Sequence, residues 1–136
     1  MDFEKLKIKE YEQWIVYLHQ NQYYLGRMYI WARRENALDF MEMNGEEKKE
    51  LFKIGQELKK ALLLSFKPDL INYAILGNVA KHLHIHVIPR YSSNRAFDGI
   101  KFTDRQWGKN YAPYNYDFKV PETSLLKIKE TIKSVI

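Results

Sequence analysis

Two periods run through the chain. Residues 14–18 form a short aromatic and β-branched run, and His19-Gln20-Asn21-Gln22 reads as a turn. Residues 23–32 resume with Tyr, Met, Tyr, Ile and Trp around Gly26, which predicts an antiparallel hairpin with Gly26 at a bend or close approach. The pattern then changes. Asn44 followed by Glu47 resembles a capping box, and Leu51, Ile54, Leu58, Ala61, Leu62 and Ser65 follow 3.6-residue spacing. A long amphipathic helix over 44–66 is the expectation, ended by Pro68. Residues 70–76 are apolar and β-prone, Gly77-Asn78 supplies a turn, and a second strand covers 81–89, giving another antiparallel pair. Residues 91–119 show no clear period and read as mostly loop, ordered by their aromatics. Pro121 suits the first turn of a last helix running to about residue 135. Meander strands, one long helix and a C-terminal helix predict an α+β domain with an antiparallel sheet. The expected organisation is one domain over 1–136, with a core at about 11–90 and a C-terminal loop and helix at 91–136.

One strand carries unusual chemistry. Residues 82–86 read His-Leu-His-Ile-His, so three of four histidines alternate with aliphatics. A strand's period of 2 places His82, His84 and His86 on one face and Leu83, Ile85 and Val87 on the other. The aliphatic face anchors the strand in a core. The other face presents groups that titrate near neutral pH, where imidazole can be nucleophile, acid, base or donor.

Composition narrows the class. In 136 residues, 46% are hydrophobic and 15% aromatic, enough for a core and unlike a disordered chain. With no cysteine, disulfides, thiolate nucleophiles and cysteine zinc sites are excluded. The N-terminus lacks an apolar core of signal-peptide length, and no stretch approaches the ~20 apolar residues of a membrane span. A soluble cytoplasmic protein without a membrane partner is the expectation. The net charge of +5, from 22 Lys and Arg against 17 Asp and Glu, favours anionic ligands. Lys48, Lys49, Lys53, Lys59 and Lys60 read as a solvated helix face rather than a stripe for specific nucleic-acid binding.

Packing alone explains the histidine row poorly, because a close imidazole cluster repels itself when protonated. A metal site fits little better. Same-face residues lie about 6.6 Å apart along a flat strand, no carboxylate flanks the row, and His19 is on the expected turn. Nucleophilic catalysis fits the linear row. The central imidazole can attack phosphorus directly while an acceptor holds its other proton, and neighbouring imidazoles can bind phosphate oxygens or assist the leaving group.

The segment His82-Leu83-His84-Ile85-His86-Val87-Ile88 resembles the signature of the histidine triad nucleotide-binding family. Asn72, Gly77-Asn78 and Pro89-Arg90 fall in the order of that family's flanking residues. The hairpin around Leu25-Gly26-Arg27 and the stretch Ala32-Arg33-Arg34 resemble its N-terminal strands. Within the family, residues 72–78 look most like the branch of diadenosine tetraphosphate hydrolases. The resemblance implies an antiparallel sheet with a long helix, a two-fold dimer, and hydrolysis or transfer at the α-phosphate of a dinucleoside polyphosphate or nucleoside phosphoramidate.

By the same resemblance, His84 is the nucleophile, His86 contacts phosphate or leaving-group oxygens, and His82 orients its neighbours. Asn72 binds ribose or phosphate, and Gly77 and Asn78 hold the phosphate side. No cofactor is required, apart from a divalent metal carried by the substrate. Many members have glutamine at the position of Asn78, a hydroxyl residue at that of Val79 and histidine at that of Glu35. These departures bear on substrate choice and rate. They keep a nucleotide-binding protein with little or no catalysis as the alternative, and a metal-dependent hydrolase as a third reading.

Other residues carry weaker signals. Arg90 can reach a distal phosphate or serve as a solvated strand end. Arg33 and Arg34 read as surface charge. Trp107, Tyr111, Tyr114 and Tyr116 can stack on a base, though packing on the core or a dimer partner fits them better. The family's base pocket is largely aliphatic and comes from the N-terminal strands, which nominates Leu18 and Ile30 or their neighbours.

Overall fold

The computed structural model describes residues 2–136. Seven strands and two α-helices follow in the order β1 (Lys7–Glu10), β2 (Trp14–Leu18), β3 (Met28–Ala32), α1 (Gly45–Ser65), β4 (Leu70–Ala74), β5 (His84–Arg90), β6 (Arg95–Phe97), β7 (Ile100–Phe102) and α2 (Glu122–Lys133). Short 3-10 turns cover Phe3–Leu6 and Phe40–Glu42. The main sheet has the order β1-β2-β3-β5-β4, all neighbours antiparallel. The α+β architecture is the expected one. Its strand order departs from sequence order once, where β5 enters between β3 and β4.

The helix start follows from its cap. Asn44 accepts the Glu47 N–H at 2.8 Å, and the Glu47 carboxylate accepts the Asn44 N–H at 2.9 Å. Arg34 closes on the same carboxylate through Nε and Nη2, at 3.0 and 3.2 Å. Burial pushes the Glu47 carboxyl up, but the Arg34 and Asn44 hydrogen bonds outweigh it and leave it below its ordinary value. Arg34 is thus a helix-cap partner, and Arg33 donates to the Tyr11 carbonyl at 2.7 Å. At the other end, the N–H groups of Phe66 and Lys67 return to the Leu62 carbonyl, with Lys67 at φ 51° before Pro68.

Ile54, Leu58, Ala61 and Leu62 form the buried stripe of α1. They meet Trp14, Val16 and Leu18 of β2, Met28 and Ile30 of β3, and Ile85 and Val87 of β5. Leu125, Ile128 and Ile132 of α2 complete this core. Each fully buried aliphatic of this kind contributes about 1.5–3 kcal/mol relative to exposure. The lysines at 48, 49, 53, 59 and 60 are exposed, as the helical period required.

Four boundaries differ from expectation. The strand expected over 23–32 begins only at Met28, because Gly26 turns the chain at φ 89°. A Cβ there would lie 2.8 Å from Leu62 Cδ2, so helix and turn meet at a position only glycine fills without a shift. The strand expected over 81–89 begins at His84, because the His82 N–H closes a tight turn on the Ala80 carbonyl. Within the expected loop 91–119, β6 and β7 form a hairpin around Asp98-Gly99, both at positive φ. The charged strand β1 has no counterpart in the sequence reading; its Lys-Ile-Lys-Glu alternation buries only Ile8.

Candidate active site

Period 2 carries the site across the sheet. Tyr17 pairs with Tyr29, Tyr29 with His86, and Trp31 with His84, so these side chains share the face opposite α1. A cleft of about 500 Å³ opens there, lined by Phe3, Tyr17, His19, Tyr29, Trp31, Ala80, His84 and His86. Tyr17 and Tyr29 stack at 5.2 Å and 18°. Leu18 and Ile30 face the core instead, 0% and 1% exposed. The nominated aliphatic liners therefore have the wrong parity, and their aromatic neighbours line the cleft.

The three histidines are brought together, each with its own partner. His84 Nδ1 lies 2.6 Å from the His82 carbonyl, and His82 Nε2 lies 2.6 Å from the Ala32 carbonyl. A carbonyl only accepts, so each of these nitrogens carries its ring's proton as donor. The remaining nitrogen of His84, Nε2, then holds a free lone pair. The rings of His84 and His86 are 4.9 Å apart and nearly perpendicular.

Two further residues belong to this face and were not nominated from sequence. The N–H of His19 bonds the Arg27 carbonyl at 2.9 Å, extending the β2–β3 ladder by one rung onto the cleft side. Gln22, 1% exposed, staples this loop: its amide donates to the carbonyls of His19 and Arg27 and accepts the Gly26 N–H at 2.7 Å. The His19 ring sits 5.9 Å from that of His86. Burial, then the Arg27 and His86 charges, pull the His19 imidazole down to about 3. Burial, then Arg27, then His84, pull His86 down to about 3 as well. Arg27 itself is buried, with Nη2 3.3 Å from His86 Nδ1 and Nη1 2.7 Å from the Tyr114 hydroxyl. The available signal was parity: His19 and Arg27 continue the alternation of Tyr17 and Tyr29.

The flanking residues are placed otherwise than expected. Asn72 sits opposite Ile88, one same-face rung beyond the Ala74–His86 pair, and does not line the cleft. Its carboxamide oxygen accepts from Arg90 Nη1 at 2.9 Å. Arg90 is neither a phosphate ligand nor a solvated end: it is 3% exposed and grips Asp104 through Nε and Nη2 at 2.8 and 3.2 Å. Gly77 and Asn78 lie on the loop before His82, and of that loop only Ala80 reaches the cleft wall. Gly77 adopts φ 63°, Asn78 is exposed, and Val79 is 96% exposed. Tyr111 and Tyr114 pack with Tyr23, Tyr24 and Ile88, beside the cleft rather than over it. Among the described residues, no three His, Cys, Asp or Glu side chains are grouped to hold a metal ion.

An antiparallel five-stranded sheet backed by a long helix, with three alternating histidines on its open face, defines a class of proteins. The family model of the HIT domain matches residues 4–93, and the chain belongs to the HIT family. Solved histidine triad proteins share the fold: one from Bradyrhizobium japonicum superposes with a TM-score of 0.78 at 18% identity, covering 98% of this chain and 92% of its own. Another, from Sinorhizobium meliloti, gives 0.80 at 17%, covering 98% and 93%. By sequence, an uncharacterized HIT-like protein of Mycoplasma genitalium is 28% identical over 69 residues, 47% of this chain and 49% of the relative. A bis(5'-adenosyl)-triphosphatase of Saccharomyces cerevisiae is 31% identical over 90 residues, 62% of this chain. The chain spans 44% of that enzyme's length. Residues 72–78 suggested the branch of the diadenosine tetraphosphate hydrolases, and this bis(5'-adenosyl)-triphosphatase is a curated relative in its support.

Proposed function

We propose that the protein cleaves a nucleotide at its α-phosphate through a covalent nucleotidyl group on His84, with a dinucleoside polyphosphate or nucleoside phosphoramidate as substrate. One observation carries this reading. The 2.6 Å bond from His84 Nδ1 to the His82 carbonyl places the neutral ring's proton on Nδ1 and its lone pair on Nε2, in a cleft walled by aromatic faces. The base stacks among Tyr17, Tyr29 and Trp31, which bind any purine or pyrimidine through its π-face. His84 Nε2 attacks phosphorus, the bond to the leaving group breaks, and water later releases the nucleotide from His84. His86 supplies a hydrogen bond to the departing atom, and His82 positions the nucleophile. The chemistry takes no metal of its own.

The test is trapping. Protein incubated with diadenosine tetraphosphate or adenosine phosphoramidate, then quenched, should carry an adenylyl mass on the peptide containing His84. His84→Ala should lose turnover by about 10⁴-fold or more while nucleotide still binds. Tight nucleotide binding with neither adduct nor product would instead favour a binding protein without catalysis. Loss of activity with a chelator, restored by zinc, would favour the metal-dependent reading.

The active form is a homodimer in this proposal. Among the described residues, β4 is a sheet edge with no partner on its outer side, and it exposes Leu70 and Tyr73. Phe52 of α1, 71% exposed, shares an apolar groove with Tyr73 and Ile75. An open, apolar edge of this kind is a pairing surface. No helix among the described residues is long and apolar enough to cross a membrane, and a cytoplasmic location remains part of the proposal.

A further inference from the structure

We infer that Arg27 holds His86 as a neutral imidazole with its single proton on Nε2, and that the site consequently acts on phosphoanhydrides in preference to phosphoramidates. This rests on the nucleotidyl-transfer reading above and selects its leaving group.

Arg27 is a cation without an anion. It is 3% exposed, and among the described residues no carboxylate lies within ion-pair distance of it. Its guanidinium is instead stacked near Tyr111 and Tyr114, 5.4 and 5.1 Å from their ring centres. Nη1 donates to the Tyr114 hydroxyl, Nη2 faces His86 Nδ1, and Nε is buried with no hydrogen-bond partner among the described residues. Buried charge left uncompensated is costly, so its retention beside the histidine row points to an anion that arrives with substrate.

The contact with His86 has one reading. A guanidinium has five donors and no acceptor, so His86 Nδ1 must accept from it. The ring proton is then on Nε2. A second proton on Nδ1 would point at the Arg27 N–H. The rings that face His86 are His19 from the end of β2 at 5.9 Å, His84 from β5 at 4.9 Å and Tyr29 from β3 at 6.4 Å. None is an anion that would favour imidazolium. Burial and the Arg27 charge, which pull His86 down to about 3, act in the same direction.

The leaving group follows from the proton count. When His84 Nε2 attacks the α-phosphorus of an anhydride, a P–O bond breaks and its electron pair stays on the bridging oxygen. The product is a phosphate anion of low basicity, which needs only a hydrogen bond from His86 Nε2–H and the nearby charge of Arg27. When the same attack occurs on a phosphoramidate, a P–N bond breaks and the pair stays on nitrogen. An amine leaves only if that nitrogen gains a proton before or as the bond breaks. Neutral His86 could supply it only by becoming imidazolate, so the general acid this cleavage needs is missing.

Both substrate classes deliver the same adenylyl group to His84, so one experiment separates the claims. On the unaltered protein, kcat/KM for diadenosine tetraphosphate should exceed that for adenosine phosphoramidate by about 100-fold, the usual contribution of a general acid. Nitrogen-15 NMR should show His86 protonated on Nε2 alone from about pH 5 to 8. Arg27→Gln and Arg27→Met should free Nδ1, alter that tautomer signature and narrow the substrate ratio by about tenfold or more. Equal rates for the two substrates, a preference for the phosphoramidate, or a His86 imidazolium near neutral pH would overturn the inference. The measurements on the unaltered protein decide the matter even where an Arg27 variant fails to fold. Absence of an adduct on His84 from either substrate would sink the nucleotidyl-transfer reading instead.

Discussion

The indole of Trp31 lies against the imidazole of His82, ring centres 4.3 Å apart and 23° from parallel, and continues under His84 at 5.5 Å and 29°. One aromatic surface therefore sets the tilt of two rings at once. The register explains it, since Trp31 pairs with His84 across β3 and β5. Each aromatic contact of this kind is worth about 0.5–1.5 kcal/mol beyond its buried area. Trp31→Ala should lower kcat/KM for nucleotide by about tenfold or more, with Trp31→Phe in between, in steady-state assays of the two variants.

Acid should destabilise the fold through two rings. His19 and His86 are both held neutral, down to about 3, whereas histidine in the unfolded chain titrates near 6.5. Between those values the unfolded chain binds protons that the native state does not. Stability therefore falls as pH drops from about 6.5 toward 3, by at most about 1.4 kcal/mol per pH unit for each ring, less where solvent screens it. Urea titrations at a series of pH values should show this slope, and His19→Asn should flatten it. A slope unchanged by that substitution would remove His19 from the account.

The C-terminal loop is pinned by one buried arginine. Arg90 reaches the Asp104 carboxylate, the Asn72 amide and the carbonyls of Gln106 and Lys109. Arg90→Met leaves Asp104 buried without its partner and should cost about 3–5 kcal/mol in chemical denaturation. Replacing both partners with apolar residues should recover much of that. Asn72→Ala should cost about 1.5–3 kcal/mol through the lost bond to a charged donor, and raise KM less than Trp31→Ala does. A large KM effect at unchanged stability would return Asn72 to the substrate.

The β4 edge and the exposed ring of Phe52 predict assembly. Sedimentation should give twice the 16.4 kDa chain mass. Phe52→Glu, which places a charge in the apolar groove, should shift the protein to monomer without unfolding it. A native protein that sediments as monomer at high concentration would refute the pairing.

Much of this fold was legible in advance. The capping box at Asn44 and Glu47, the helical stripe to Leu62 and the alternation through Val87 are local patterns, and the structure follows them. The Asp98-Gly99 hairpin was missed, since residues 91–119 were read as mostly loop although that dipeptide between apolar residues is a turn signal. Its apolar flanks, Phe97 and Ile100, are short enough to read as loop. Parity was the harder matter. Leu18 and Ile30 look like pocket liners by chemistry, but the face each occupies depends on which way the whole hairpin docks on α1.

The sequence by itself determined the chemistry available: three imidazoles spaced to share one side of a strand, in a chain with no thiol to compete. Periodicity is a property of a few neighbouring residues, so it survives without knowledge of the fold. Only the tertiary structure decided which nitrogen of each ring is free, because the acceptors are carbonyls fixed by a turn at His82 and by a distant strand at Ala32. It alone brought Arg27 against His86, 59 residues apart in sequence, by inserting β5 beside β3. That contact is long-range, set by strand order, and no local pattern encodes it.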